Sequence, residues 1–330
     1  MPVRVLGVPA NSRRSLRVRG AHVRRGVAAV AFLATCVLVV QVGDATNAVP
    51  ARAMLDAVLE KQAALGVPPR SDRSYLLTHT RVIPLGRSSI SVPILMYHYI
   101  RPAPSIYTDY LGYRLTVTPG DFTTQMDWLA SSGYHPVDFN DLRSYFSGAV
   151  PLPAKPVVIT FDDGYADLYT TAYPILQVHK FKAVAYIVTS FVGQASYVTA
   201  AQVQEMDRHG IQIASHTVDH ANVAKASLYW ATAQLAASKT WLENLTGHSV
   251  VDFAYPSGKY SATAIAALQA TGYDTAVTEL PGTVHSRADR YLWTRERAYG
   301  GESLGDFVNN LGAVEPWVDV AGMTTTAKRP

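Results

Sequence analysis

Residues Val157 to Gly164 read Val-Val-Ile-Thr-Phe-Asp-Asp-Gly. An unbroken run of β-branched and aromatic residues makes a strand buried on both faces, the pattern of a parallel sheet covered by helices. The strand candidate spans Pro156–Phe161. Two adjacent carboxylates, Asp162 and Asp163, follow it, and Gly164 permits a sharp exit of the chain. Neighbouring carboxylates at the end of an apolar strand repel each other unless a cation or solvent intervenes. Asp-Asp-Gly is also ordinary turn chemistry. This stretch alone therefore leaves a solvated turn and a reactive site both open.

Outward from it, short β-rich runs alternate with amphipathic helical stretches. The further strand candidates are Val92–His98, Ala183–Val188, Ile211–Ser215, Val251–Tyr255 and Thr275–Thr278. Thr118 caps a helix with Pro119 at its first position and Gly133 at its end. Thr199 with Gln202 forms a capping box, and Gly210 closes that helix. Ser261 opens another, ended by Gly272. Strand–helix alternation of this kind predicts an α/β fold, a (β/α) barrel whose active residues collect at the C-terminal ends of its strands.

A second strand end carries chemistry. Ile211–Ala214 runs into Ser215-His216-Thr217-Val218-Asp219-His220. On a helical turn, a spacing of four puts both imidazoles on one side. Asp163, His216 and His220 together make a set of two histidines and one carboxylate with open positions. Such a set suits a divalent metal, zinc first, that activates water.

The rest of the chain bounds the function. Apolar residues make up 48% of the 330 and charged residues 16%, which supplies a sizeable core and excludes global disorder. The net charge of +4 comes from seven arginines ahead of Asp44; without them 22 basic residues face 25 acidic ones. The body is thus mildly acidic, and nothing in it argues for nucleic-acid binding. The single cysteine, Cys36, excludes an intramolecular disulfide. That arginine-rich start precedes the apolar run Val27–Val42. The pair predicts export, with residues 1–43 as a membrane anchor or as a signal cleaved near Ala45 or Ala48. Residues 44–90 read as a stalk with one helix over Ala51–Leu65, and residues 313–330 as a tail. Trp230 and Trp241, in one helical stretch, read as core.

Residues 91–312 resemble the polysaccharide deacetylases of the carbohydrate esterase family, the NodB-homology domain. Thr160-Phe161-Asp162-Asp163-Gly164 is similar to its T-F-D-D-G motif, and Ser215 to His220 to its S-H-T-x-x-H motif. Phe253-Ala254-Tyr255-Pro256-Ser257-Gly258 looks like a third motif, and Pro93 to His98 like the opening of one branch. The resemblance implies a distorted barrel that removes acetyl groups from an acetylated polysaccharide. It further implies Asp163, His216 and His220 as ligands of a divalent metal, most simply Zn2+, and Asp162 as general base for the attacking water. Ser257 would offer its backbone N–H to the oxyanion, while Tyr255 and Pro256 would shape the sugar pocket.

The sequence departs from the commonest family pattern. Ala254 stands where an arginine orients the catalytic aspartate, and the resemblance points to Arg295, ahead of Arg297, as its replacement. No catalytic histidine is recognisable near the C-terminal end. His285 is the candidate general acid and His98 its rival. N-deacetylation of a polymer containing N-acetylglucosamine is the leading expectation. The alternatives are an O-acetyl esterase acting on xylan and a silent carbohydrate-binding domain; the intact Asp162 and ligand set speak against the silent domain.

Overall fold

In the computed structural model, which describes residues 81–319, the strand Pro156–Phe161 lies inside a curled eight-stranded parallel sheet; short His135–Pro136 pairs only with Pro156 and Val157, and the other seven strands run side by side. Numbered in chain order, these are β1 (Ile94–Tyr97), β2 (Pro156–Phe161), β3 (Ala183–Ile187), β4 (Ile211–Ser215), β5 (Asp252–Ala254), β6 (Thr275–Val277) and β7 (Glu296–Arg297). Their spatial order is β6-β5-β4-β3-β2-β1-β7. The short segment around β7 ties the two edges together. Trp293 bridges to Val277, the last residue of β6, while Glu296 and Arg297 pair with Leu95 and Met96 of β1. The six longer strands fall within two residues of their expected limits. β7 is too short and too polar to have been recognised.

Strand parity sorts the side chains. Val157, Ile159 and Phe161 point outward to the helices, in a cluster with Leu95, Tyr97 and Ile213. Val158 points inward with Ile94, Val184, Tyr186, Ala214, Ala254, Val277 and Trp293. Full burial of each large side chain stabilises by about 1.5–3 kcal/mol. The inward set carries the functional positions, because continuing that parity beyond Val158 and Thr160 brings Asp162 to the barrel mouth. Continuing it beyond Ala214 does the same for His216.

The helices return the chain to the N-terminal edge. They are α1 (Tyr110–Leu115), α2 (Pro119–Ser131), α3 (Phe139–Phe146), α4 (Tyr173–His179), α5 (Ala200–Arg208), α6 (Leu228–Thr246), α7 (Ala262–Ala270) and α8 (Leu304–Asn310). Thr118 caps α2, Thr199 and Gln202 make a reciprocal box on α5, and Ser261 caps α7, all as their residue types predict.

Three features depart from expectation. Arg81–Ile83, expected within the stalk, pairs with Leu152–Pro153 and with Val318–Asp319, which was expected in the tail. Ser89–Ser91 pairs with Val284–Ser286, and the Ser91 N–H donates to Glu315. Both ends of the described chain are therefore held to each other and to the domain, by burial of Val82, Ile83 and Ile90. Trp230 and Trp241 are 42% and 38% exposed instead of core, because the buried face of α6 is Ala231, Leu235, Ser238 and Leu242. The expected anchor or signal, the helix over residues 51–65 and Cys36 lie outside the described residues. Among those described, no helix is long and apolar enough to cross a membrane.

Candidate active site

Asp162 and Asp163 leave β2 in different directions. Asp162 keeps strand parity, is 2% exposed, and faces into the barrel. Asp163 takes a left-handed backbone (φ 71°), and Gly164 continues it (φ 78°). That reversal swings the second carboxylate towards the end of β4. Thr217 (φ 71°), His220 (φ 59°) and Ser257 (φ 54°) share this uncommon conformation. Backbone strain of this kind, of order 1–3 kcal/mol per residue, gathers at functional sites.

His216 and His220 meet through a turn, not the helical turn expected from their spacing. The left-handed Thr217 and His220 fold residues 216–220 back, so the rings sit 5.0 Å apart between centroids. His216 Nδ1 lies 2.8 Å from the Ala254 carbonyl oxygen. That bond places the ring proton on Nδ1 and frees Nε2 as a ligand. The two Nε2 atoms stand 3.5 Å (His216) and 3.4 Å (His220) from Asp163 Oδ1.

This cluster fits a divalent ion on three counts. Asp163 Oδ1 is buried without a hydrogen-bond partner among the described residues. Burial lowers the pKa of both histidines, which keeps them in the neutral form that ligates. A tetrahedral ion about 2.1 Å from each ligand holds its ligands about 3.4 Å apart, which matches the observed separations. Burial, and then the Asp162 charge, raise the Asp163 carboxyl against the pull of His216. A cation would relieve that unfavourable placement.

Asp162 is held differently. Arg295, 1% exposed, clasps it with Nη1 to Oδ1 and Nη2 to Oδ2, both at 2.7 Å. The guanidinium also donates to Thr160 Oγ1 at 3.1 Å and to the Thr278 carbonyl at 2.9 Å. Burial would raise the Asp162 carboxyl, but the charge and hydrogen bonds of Arg295 hold it well below the usual carboxylate range. Arg297, the other arginine considered, pairs with Glu279 instead.

His98 Nε2 lies 3.9 Å from Asp162 Oδ2. Burial lowers the His98 pKa to about 3, against the opposing pull of Asp162. Its Nδ1 has no partner among the described residues. His285 is elsewhere. Its Nε2 lies 2.9 Å from the Val92 carbonyl oxygen and its ring packs on Trp293. Val92 precedes β1 at the N-terminal edge of the sheet, whereas Asp162 lies beyond the C-terminal end of β2. Strand rise puts the two edges roughly 20 Å apart. The structure thus brings His98, and not His285, to Asp162.

The third motif also divides. Parity turns Tyr255 outward, where it is fully buried against Phe253 with its hydroxyl unpartnered among the described residues. Pro256 is buried beside it, and Ser257 is exposed.

The profile described as polysaccharide deacetylase matches residues 149–276. The Bacillus subtilis protein YxkH, named as a candidate polysaccharide deacetylase, is 30% identical over 67% of this chain and 77% of its own length. The Escherichia coli poly-beta-1,6-N-acetyl-D-glucosamine N-deacetylase is 30% identical over 50% of this chain, but the match spans only 31% of that enzyme. Among solved structures, the Streptococcus pyogenes deacetylase PplD, in complex with acetate, superposes with a TM-score of 0.62 and 30% identity. It covers 68% of this chain and 99% of the other.

Proposed function

Because the chain belongs to the polysaccharide deacetylase family, enzymes that hydrolyse carbon–nitrogen bonds, we propose that it removes N-acetyl groups from a polymer of N-acetylglucosamine with a divalent metal held by Asp163, His216 and His220. The observation that carries this reading is the buried Asp163 Oδ1, without a hydrogen-bond partner among the described residues and nearly equidistant from two neutral imidazole nitrogens. Zinc suits that nitrogen and oxygen donor set. Bound there, the ion supplies Lewis acidity to the water and to the acetyl carbonyl.

The chain's own groups do the remaining work. Asp162, kept ionised by Arg295, accepts the proton of the attacking water. Arg295 fixes both carboxylate oxygens, so the acceptor cannot rotate away. His98, whose Nε2 lies 3.9 Å from Asp162 Oδ2, is the group proposed to relay that proton to the departing amine nitrogen, in place of His285. The Ser257 backbone N–H is the proposed donor to the oxyanion, where one preorganised donor is worth about 3 kcal/mol. The Escherichia coli relative acts on poly-beta-1,6-N-acetyl-D-glucosamine, which makes that linkage the first to test. The arginine-rich start and the apolar run at 27–42 support a catalytic domain outside the membrane.

Acetate release from purified polymers tests the proposal. N-acetylglucosamine polymers should yield acetate, chelator should stop it, and added zinc should restore it. Release from acetylated xylan alone would replace this reading by the O-acetyl esterase.

A further inference from the structure

The Asp163 carboxylate has two oxygens, and the histidines are placed against one of them. Oδ1 stands 3.5 Å and 3.4 Å from the two Nε2 atoms and has no hydrogen-bond partner among the described residues. The carboxylate nevertheless shares a hydrogen bond with the side chain of Tyr165. That bond therefore falls on Oδ2. An ionised carboxylate only accepts, so the Tyr165 hydroxyl donates.

Tyr165 follows the left-handed pair Asp163 and Gly164, and neighbouring connections hold it in place. Its backbone bridges to Tyr197 on the connection that leaves β3. Beside that bridge the Ala166 N–H donates to the Ser196 carbonyl at 2.8 Å, and the Val198 N–H to the Gly164 carbonyl at 3.0 Å. The Tyr165 ring stacks on Tyr197 with centroids 5.0 Å apart. On its other side it meets Tyr99, just past β1, at 4.2 Å. Phe191 closes one end of this column, 4.7 Å from Tyr197. Arg101 closes the other, its guanidinium 3.5 Å from the centre of the Tyr99 ring and its Nε 3.9 Å from Asp167. The column thus ties together the connections that leave β1, β2 and β3.

The hydroxyls run the same way. Tyr99 and Tyr197 both share hydrogen bonds with Tyr165. A phenol has one proton and two lone pairs. With the Tyr165 proton committed to Asp163, its two neighbours donate to the Tyr165 oxygen, and donation of that kind polarises the O–H that faces the carboxylate. Tyr165 is thereby fixed in position and strengthened as a donor. We propose that Tyr165 is a positioning residue: its hydroxyl holds Asp163 Oδ2 and so keeps Oδ1 turned to His216 and His220, while the column from Arg101 to Phe191 holds that hydroxyl. This rests on the metal-centre reading above. Partners that orient a ligating carboxylate in this way typically carry about 10–100-fold of metal affinity.

The test measures zinc affinity of the metal-free full chain by competition with a chromophoric chelator. Tyr165→Phe keeps the ring and removes the donor, and it should bind zinc at least about tenfold more weakly than the parent. Tyr99→Phe/Tyr197→Phe leaves that donor in place without its support, and should weaken binding by less. Tyr169→Phe is the control, because the Tyr169 hydroxyl donates to Glu205 instead; it should bind zinc as the parent does. The visible spectrum of the cobalt(II) form reports ligand geometry, and it should change in Tyr165→Phe but not in Tyr169→Phe. Parent-like zinc affinity in Tyr165→Phe overturns the proposal. So does an unchanged cobalt spectrum in that variant, or an equal loss of affinity in Tyr169→Phe. A parent that binds no zinc sinks the metal centre and this role together. Weaker binding in Tyr165→Phe with the expected spectral change supports the role even if the parent releases no acetate, which would sink only the deacetylase reading.

Discussion

Arg295 and Asp162 form a two-point ion pair, with both contacts at 2.7 Å and neither side chain more than 1% exposed. Removing one partner of so buried a pair leaves an uncompensated charge, at about 3–5 kcal/mol. Arg295→Gln is expected to lower stability by that order. It should also move the acid limb of kcat/KM to higher pH, since Asp162 then loses the charge that holds its carboxyl low. Arg295→Lys should recover little, because an ammonium cannot reproduce the fork. An unmoved acid limb would show that Arg295 does not tune the base.

The two carboxylates should separate by measurement. Asp162→Asn is expected to keep its metal while turnover falls on the order of 100-fold or more, the range for a lost general base. Asp163→Asn should weaken metal binding itself. Metal titration beside acetate release checks both. Loss of metal in Asp162→Asn would contradict this division of labour.

Metal content follows from the cluster. Protein prepared without chelator should carry about one divalent ion per chain. The His216→Ala/His220→Ala variant should carry none by elemental analysis. Stoichiometric metal in that variant would remove these residues from the centre.

His285 makes stability depend on pH. Burial lowers its pKa to about 4 from an ordinary 6.5. Between those values the unfolded chain binds more protons, so stability is complete above about pH 6.5 and falls as pH drops towards 4. The loss should reach about 3.5 kcal/mol at most, since one pKa unit is worth ~1.4 kcal/mol. His285→Phe is expected to flatten this part of the melting profile and to keep turnover near neutral pH. Loss of turnover with normal folding would return His285 to the catalytic set.

The His98 relay has its own signature. His98→Gln should lower kcat by about 100-fold, the low end of acid–base effects, with metal content unchanged. Metal loss in that variant would make His98 part of the centre and not a relay.

What the sequence determined by itself is local. Unbroken β-branched runs, the hydroxyls of Thr118, Thr199 and Ser261, and the glycines that follow helices act within a few residues, so strand and helix limits were legible. The Asp162-Asp163-Gly164 and His216–His220 motifs were legible too, because each lies at one strand end. Only tertiary structure shows which of Arg295 and Arg297, and which of His98 and His285, stands beside Asp162. Those choices depend on which strands adjoin, on the parity each keeps and on which edge of the sheet a residue reaches, and no short stretch encodes them. The same holds for Trp230, whose spacing suits a core helix, yet which falls one residue before the face that α6 buries. It holds also for Arg81–Ile83, a segment that became a strand only because Leu152–Pro153 and Val318–Asp319 lie on either side of it.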